Sequence, residues 1–434
     1  MRLIFTAVAF QLATTLFIIL WLSTLSHGNK SKLSKSVDLY DRSQQKRMDA
    51  LKLKPNEVIR WKALTELDGA KYYGPGAFIV KNCSNGTFVS LETPVSTIRK
   101  YTFFGTELFN YMQNKDVVEK ICQFKQRRSI LNDAPEWQDY KLLINQPKVC
   151  SNRETARVDL LLLIKSAHNH VVERNAIRGL WANSSCWAGR TVRHVFLLGS
   201  TDNATWNQRV AREAGRFADV IQQDFHDDYY NNTLKVLFGL QWTLSFCPEA
   251  QWILFVDDDM FVNPRNVLAL LKNLDLRFYR WLLFGNQRTF PPVTRENSKW
   301  AIDEDAYPYD YYPSYVSGAT ILVGSKLALD LYIGSRFTRM IPFDDAFFGL
   351  VLNALLLIPV HLGGVYVDDY SELNKLSRSR QFTLHGVSSP LRQRRLWIQM
   401  KISEMCDPQK KQVQQTGKRR QPCNRQQFMT LTAS

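Results

Sequence analysis

The sequence predicts an α/β architecture with a parallel-rich sheet, carried behind a single N-terminal transmembrane helix. Three observations predict it. Continuous apolar runs of strand length alternate with segments of helical character along the C-terminal two thirds of the chain, the pattern of strands buried on both faces and joined by helices. The run in "WILFVDDDMFVNP" (252–264) ends in three consecutive aspartates, at the strand end where open α/β sheets bind ligands. Residues 3–25, "LIFTAVAFQLATTLFIILWLSTL", carry no charge, which is enough to cross a hydrocarbon core of roughly 30 Å as a helix.

That first span sets the organisation of the rest. A cleaved signal peptide is the competing reading, but its apolar core runs only about 7–15 residues, so an uncleaved anchor at 3–25 behind a two-residue tail (1–2) is expected. Only Arg2 precedes the span, while Lys30, Lys32 and Lys35 follow it, so the positive-inside rule does not favour a lumenal C-terminus. N-x-S/T sequons point the other way. They occur at Asn82, Asn85, Asn183, Asn203 and Asn231, with another at Asn29 close to the membrane, and favour passage through the secretory pathway. Residues 26–55 are polar and charged, a stem. Residues 56–134 hold aromatic and apolar pairs and read as folded, with no motif. The regular pattern runs from 135 to 406, and 407–434 is a basic tail. The seven cysteines show no C-x-x-C spacing, which argues against zinc; in a lumenal compartment some would pair, in a pattern the sequence leaves open.

Within 135–406 the elements follow in order. "VDLLLLIK" (158–165) is a buried strand, and "RHVFLLG" (193–199) repeats its character. "NATWNQRVAREAGRF" (203–217) is a helix, "ADVIQQDF" a short strand, and "NTLKVLFGLQWTLSF" (232–246) a helix packing through Leu234, Leu237, Leu240 and Trp242. "QWILFV" leads to the aspartates, and "NPRNVLALLKNL" opens a helix with Asn263 as N-cap and Pro264 first inside it. Neither internal repeats nor a Gly-rich nucleotide fingerprint is present.

The net charge of +16 raises nucleic acid as a partner. No nucleic-acid motif accompanies it, and part of the excess sits in the tail "DPQKKQVQQTGKRRQPCNRQQ", so a nucleic-acid role is set aside. Phosphate-bearing substrates or a membrane surface fit the charge.

Several constellations bear chemistry. Asp257, Asp258 and Asp259 form either a solvated acidic turn or an oxygen-rich site for Mg²⁺, Mn²⁺ or Ca²⁺; attachment to a buried strand favours the metal. An EF-hand fails, because its Gly and Glu positions hold Val262 and Leu268. Asp344 and Asp345 precede an apolar segment and read first as carboxylates at a helix N-terminus, with a general base beside the metal as the functional alternative. Arg174 and Arg178 share one face of a helix, either solvated or meeting a phosphate. "YYPSYVSGA" (311–319) either packs or lines a sugar cleft, with Gly318 allowing close approach.

Together these blocks resemble the β1,3-glycosyltransferases of the Golgi, the family of β1,3-galactosyltransferases and β1,3-N-acetylglucosaminyltransferases that includes Brainiac. "LINQPKVC", "LLLIKSAHNHVVERNAIRGLW", "EAGRFADVIQQDFHDDYYNNTLK", "VDDDMFVN", "YPSYVSGA", "FDDAFFG" and "LHGVSSPLRQRRLWIQMKISEMC" follow in the family's order across about 135–406. Leu180 stands where the family has Thr, Asn232 precedes Thr233 where it has N-L-T, and Ala319 follows Gly318 where many members have Gly. The Asp-Asp pair is similar to the Brainiac branch.

The resemblance implies a GT-A (Rossmann-like) domain that transfers a hexose with inversion from a UDP-sugar, UDP-galactose or UDP-N-acetylglucosamine, to a hydroxyl of a glycan on glycoprotein or glycolipid. It implies Mn²⁺ or another divalent cation held by Asp259, with Asp257 and Asp258 nearby and His385 completing the set; alone, His385 reads as a surface loop residue. It implies Asp345 as general base with Asp344 beside it. Lys165, Ser166, Arg174 and Arg178 are expected at the nucleotide, and Tyr312, Tyr315 and Gly318 around the sugar. A single-pass type II Golgi membrane protein with its catalytic domain in the lumen is expected. A catalytically silent glycan- or UDP-sugar-binding protein is the alternative, for which Leu180 is the one hint; a metal-dependent phosphate-ester hydrolase would want more clustered histidines.

Overall fold

The computed structural model describes residues 140–406 except 152–156, 275–281, 356, 370 and 372, together with helix α1 (Val117–Arg127) and four short strands before it. The expected membrane span, the stem, most of 56–134 and the tail 407–434 lie outside these residues. Among the described residues no helix is long and apolar enough to cross a membrane.

The strands before α1 are β1 (Ile59–Arg60), β2 (Tyr72–Tyr73), β3 (Phe78–Lys81) and β4 (Phe88–Glu92). The next are β5 (Leu142–Ile144), β6 (Val158–Lys165), β7 (Val192–Ser200), β8 (Val220–His226) and β9 (Ala250–Asp257). Then come β10 (Phe261–Val262), β11 (Leu283–Arg288), β12 (Tyr315–Gly324), β13 (Val360–Leu362), β14 (Val365–Asp369) and β15 (Thr383–His385). Nine of them form one sheet in the order β2-β13-β11-β12-β9-β6-β7-β8-β5.

Its centre is parallel, as the apolar runs predict: β6 pairs with both β7 and β9, and β7 with β8. Leu160–Ile164 of β6 are fully buried, which a strand covered on both faces requires. The sheet is mixed overall, because β12 runs antiparallel between β9 and β11. A short β-hairpin joins antiparallel neighbours, but here a 26-residue excursion separates Arg288 from Tyr315, so no local signal announces the pairing.

The helices are α2 (Val171–Gly179), α3 (Ala204–Phe217), α4 (Asn232–Phe246), α5 (Pro264–Asn273), α6 (Ser325–Ser335), α7 (Asp344–Ala354), α8 (Lys375–Arg380) and α9 (Pro390–Gln399). Helix α4 packs on β6 and β7, α6 on β9 and β12, and α7 on β12. Nine of the fifteen residues of α4 are buried, all between Thr233 and Thr243 and on every side of the helix, so it is a core helix rather than an amphipathic one. Asn203 caps α3 by accepting from the backbone N–H groups of Thr205 and Trp206. At α5, Pro264 opens the helix as expected, but Asn263 differs: its side chain makes no capping bond and its amide faces Met400 Sδ at 3.9 Å. Disulfides join Cys150 to Cys247 and Cys186 to Cys406.

Candidate active site

Register builds the site. Lys165 and Asp257 end the adjacent parallel strands β6 and β9 and are paired neighbours, so both side chains emerge at the same carboxyl edge. Lys165 is buried, and its ammonium lies 2.9 Å from Asp257, 2.7 Å from Asp344 and 2.9 Å from the Gly318 carbonyl. Three elements distant in sequence thus meet on one cation. Burial works against that charge, but Asp257 and Asp344 outweigh it and hold Lys165 above its ordinary pKa.

The aspartate triplet then divides. Burial pushes Asp257 up to about 6; Lys165 opposes the rise, and the charges of Asp259 and Asp344 add to it. Asp258 turns inward, accepting from Ser166 Oγ at 2.6 Å and lying 2.9 Å from His170 Nδ1. Asp259 turns toward β15, whose pairing with β10 brings His385 Nε2 to 3.4 Å from its Oδ2. The Val387 N–H donates to the Asp259 carbonyl at 2.7 Å and fixes this approach. Asp259 Oδ1 is buried with no hydrogen-bond partner among the described residues. An orphaned carboxylate oxygen beside an imidazole, with a second carboxylate already pushed up by burial, suits a divalent cation with oxygen and nitrogen donors. Among the described residues no group of three metal-ligating side chains is assembled; the pair Asp259–His385 with Asp257 nearby is the part that fits.

Asp344 and Asp345 open α7, so carboxylates stand at a helix N-terminus as the sequence alone suggests. The site makes further use of them. Asp344 is buried and tied to Lys165, whereas Asp345 is half-buried and accepts from the N–H groups of Gly318 (3.1 Å) and Ala346 (2.7 Å). Burial first, then the adjacent Asp344 charge, push Asp345 up to about 7, against those two hydrogen bonds. The fit requires glycine at two places. A Cβ on Gly318 would stand 2.7 Å from Asp344 Oδ1, and one on Gly349 of α7 would stand 2.8 Å from the Tyr315 Cβ. Tyr312 and Tyr315 meet edge to face at 6.1 Å; burial raises the pKa of each, and the Asp345 charge adds to the rise.

Arg174 and Arg178 are held differently from expectation. Arg174 is fully buried and bidentate to Glu213 at 2.8 and 2.7 Å, while also donating to Ser166 Oγ at 2.9 Å. Arg178 binds Asp219 at 2.7 and 2.8 Å and Glu213 at 2.7 Å. Both guanidinium forks are taken up by carboxylates, and Arg174 reaches the acidic cluster only through Ser166. Four residues to which the sequence gave no role take part as well. His170 contacts Asp258, Glu213 orients Arg174, and Lys235 donates to the Ser166 carbonyl (2.8 Å) and to Asp227 (2.6 Å). Glu213, Asp227 and Lys235 all lie in "EAGRFADVIQQDFHDDYYNNTLK" and His170 lies in "LLLIKSAHNHVVERNAIRGLW", so both blocks contained the signal, although none of the four was singled out within them.

A family model described as galactosyltransferase matches residues 172–362, which spans α2 through β13 and so includes the aspartate triplet and the Asp344–Asp345 pair. The chain is 31% identical over 262 residues to a mouse protein named beta-1,3-galactosyltransferase 1, covering 60% of this chain and 78% of that one. It is 37% identical over 198 residues to the human beta-1,3-galactosyltransferase 5, covering 45% of this chain and 63% of the relative, just under two thirds of its length. A Xenopus laevis protein named lactosylceramide 1,3-N-acetyl-beta-D-glucosaminyltransferase A is 31% identical over 255 residues, covering 57% of this chain and 67% of that one. The chain belongs to the β1,3-glycosyltransferase family.

Proposed function

We propose that this chain is an inverting hexosyltransferase of GT-A type that moves galactose or N-acetylglucosamine from a UDP-sugar to the 3-hydroxyl of a glycan acceptor on glycoprotein or glycolipid. The carrying observation is the pairing of Asp345, a carboxyl pushed up to about 7, with a Lys165–Asp344 hub that joins it to the aspartate triplet. A base whose pKa lies near the working pH is matched to proton abstraction.

In this mechanism Asp345 takes the acceptor hydroxyl proton as that oxygen attacks the anomeric carbon, and the bond from that carbon to the UDP oxygen breaks. Asp344, held by Lys165, supplies the negative field that keeps the base poised. Gly318 donates through its N–H to Asp345 and sets its orientation. Asp259 and His385, with Asp257, would hold a divalent cation, Mn²⁺ in the expected case, which when bound stabilises the charge of the departing diphosphate. Asp258, fixed by Ser166 and His170, faces the donor side, and Arg174 positions Ser166 from behind. Leu180, the residue favouring a silent binder, is the C-cap of α2 and packs against the core.

We further propose that the protein is a single-pass type II Golgi membrane protein anchored by 3–25. The sequons and the disulfides Cys150–Cys247 and Cys186–Cys406 support a secretory, oxidising compartment. Digestion with an endoglycosidase should then increase gel mobility, and an unchanged band would count against this placement.

The test of the activity is UDP release by the secreted chain with UDP-galactose and with UDP-N-acetylglucosamine, each with β-linked sugar acceptors. Acceptor-dependent release with one donor, lost on chelation and restored by Mn²⁺, is expected. UDP binding without release across a broad acceptor panel would favour the silent glycan binder.

A further inference from the structure

The excursion between β11 and β12 is an ordered platform. Pro292 bridges Tyr311 and Thr294 bridges Ala301. Arg295 donates to the carbonyls of Ile302 (3.0 Å), Tyr307 (2.9 Å) and Tyr309 (2.7 Å), pinning the loop on itself. What this bracing presents is aromatic and open to solvent: Trp300 is 55% exposed, and Tyr229, from the turn before α4, is 42% exposed. Trp300 Nε1 donates to the Tyr229 hydroxyl at 2.9 Å. The Lys299 ammonium lies 5.2 Å from the Tyr229 ring centre and 5.0 Å from that of Trp300.

Single exposed apolar residues need no explanation, but a hydrogen-bonded aromatic pair held out by a braced loop leaves surface that water covers poorly. Its position is informative. Tyr229 follows the carboxyl end of β8, the same edge of the parallel strands at which β6 and β9 present Lys165 and Asp257. Thr233, just beyond it, donates to the Ile341 carbonyl three residues before Asp344, and the platform leads directly into β12, whose Gly318 N–H meets Asp345. A pyranose suits such a surface, since it carries an apolar C–H face and a rim of hydroxyls, as aromatic side chains with polar tips do. A protein partner would need a far larger apolar area than two rings.

We propose that Trp300, Tyr229 and Lys299 form the acceptor subsite, where a pyranose lays its C–H face on the Trp300 indole and its hydroxyls meet the Tyr229 hydroxyl and the Lys299 ammonium. The proposal rests on the transferase function above and adds which surface holds the acceptor.

The test is saturation-transfer NMR on the detergent-solubilised full chain without donor, with methyl β-D-galactopyranoside and methyl N-acetyl-β-D-glucosaminide as probes. Wild type, Trp300→Ala and Trp300→Phe are compared, with melting curves confirming that all three fold. At least one probe should bind, with Kd raised about tenfold or more by Trp300→Ala, as for truncated aromatic anchors, and less by Trp300→Phe. Acceptor KM in the transfer assay should rise by a similar factor with kcat little changed. Unchanged Kd in Trp300→Ala, or no probe bound by wild type, would overturn the subsite, and if transfer persists the transferase function survives that failure. Binding lost in Trp300→Ala with no transfer from any donor would support the sugar platform and overturn the transferase function instead.

Discussion

Lys165 is the residue on which the candidate site turns, because two carboxylates from different elements share its buried charge. Removing one partner of a buried pair leaves the others uncompensated, a cost of about 3–5 kcal/mol. Lys165→Met should therefore lower the unfolding free energy by about that amount, read by denaturant titration. Asp345→Asn keeps the shape and removes the proposed base, so kcat should fall by about 10²–10⁴-fold with the fold intact. Because Asp345 must be ionised to act, its pKa of about 7 places an acid limb there: activity is present above it and is lost as pH falls through it. Asp344→Asn removes the like charge that raises Asp345, so the limb in a kcat–pH profile should move to lower pH. A limb that stays in place would show that Asp344 does not tune the base.

Elements explain which parts of this site were legible in the sequence. The uninterrupted apolar runs of β6 and β9 announce two buried parallel strands, and the parallel pairing then places Lys165 and Asp257 together. The strand end carrying Asp257–Asp259 could be read for the same reason. His385 could not be reached from pattern, since β15 is three residues long and leaves no periodicity; only the family resemblance pointed to it. The arginines show the converse. Their spacing on α2 was legible, but Glu213 and Asp219, which occupy both guanidinium groups, lie 35–41 residues further along the chain, and pairing across that distance is a tertiary fact. The antiparallel insertion of β12 was likewise hidden, although it is what brings Gly318 against α7. Gly318→Ala places a methyl 2.7 Å from Asp344 Oδ1; overpacking of this kind costs about 1–3 kcal/mol. Since Gly318 N–H also orients Asp345, kcat should fall with stability, and unaltered kinetics would detach the glycine from the base.

At the scale of the whole molecule, two disulfides among the described residues close long loops around the candidate site, with sequence separations of 97 for Cys150–Cys247 and 220 for Cys186–Cys406. The first ties the segment leading into the sheet to the end of α4, and the second ties the turn after α2 to the chain following α9. Loss of such a bond costs about 2–5 kcal/mol, so reductant should lower Tm markedly, whereas an unchanged melt would mean the bonds add little. In the proposed mechanism Asp345, the Lys165 hub and the aspartate triplet all serve one outcome, transfer with inversion to a 3-hydroxyl. The decisive measurement is the NMR spectrum of the product made from an α-linked UDP-sugar and a β-linked acceptor. A new β-anomeric signal at a 3-substituted acceptor ring, absent with Asp345→Asn, is the predicted result. An α-linked product, or equal product from Asp345→Asn, would contradict inversion by this base.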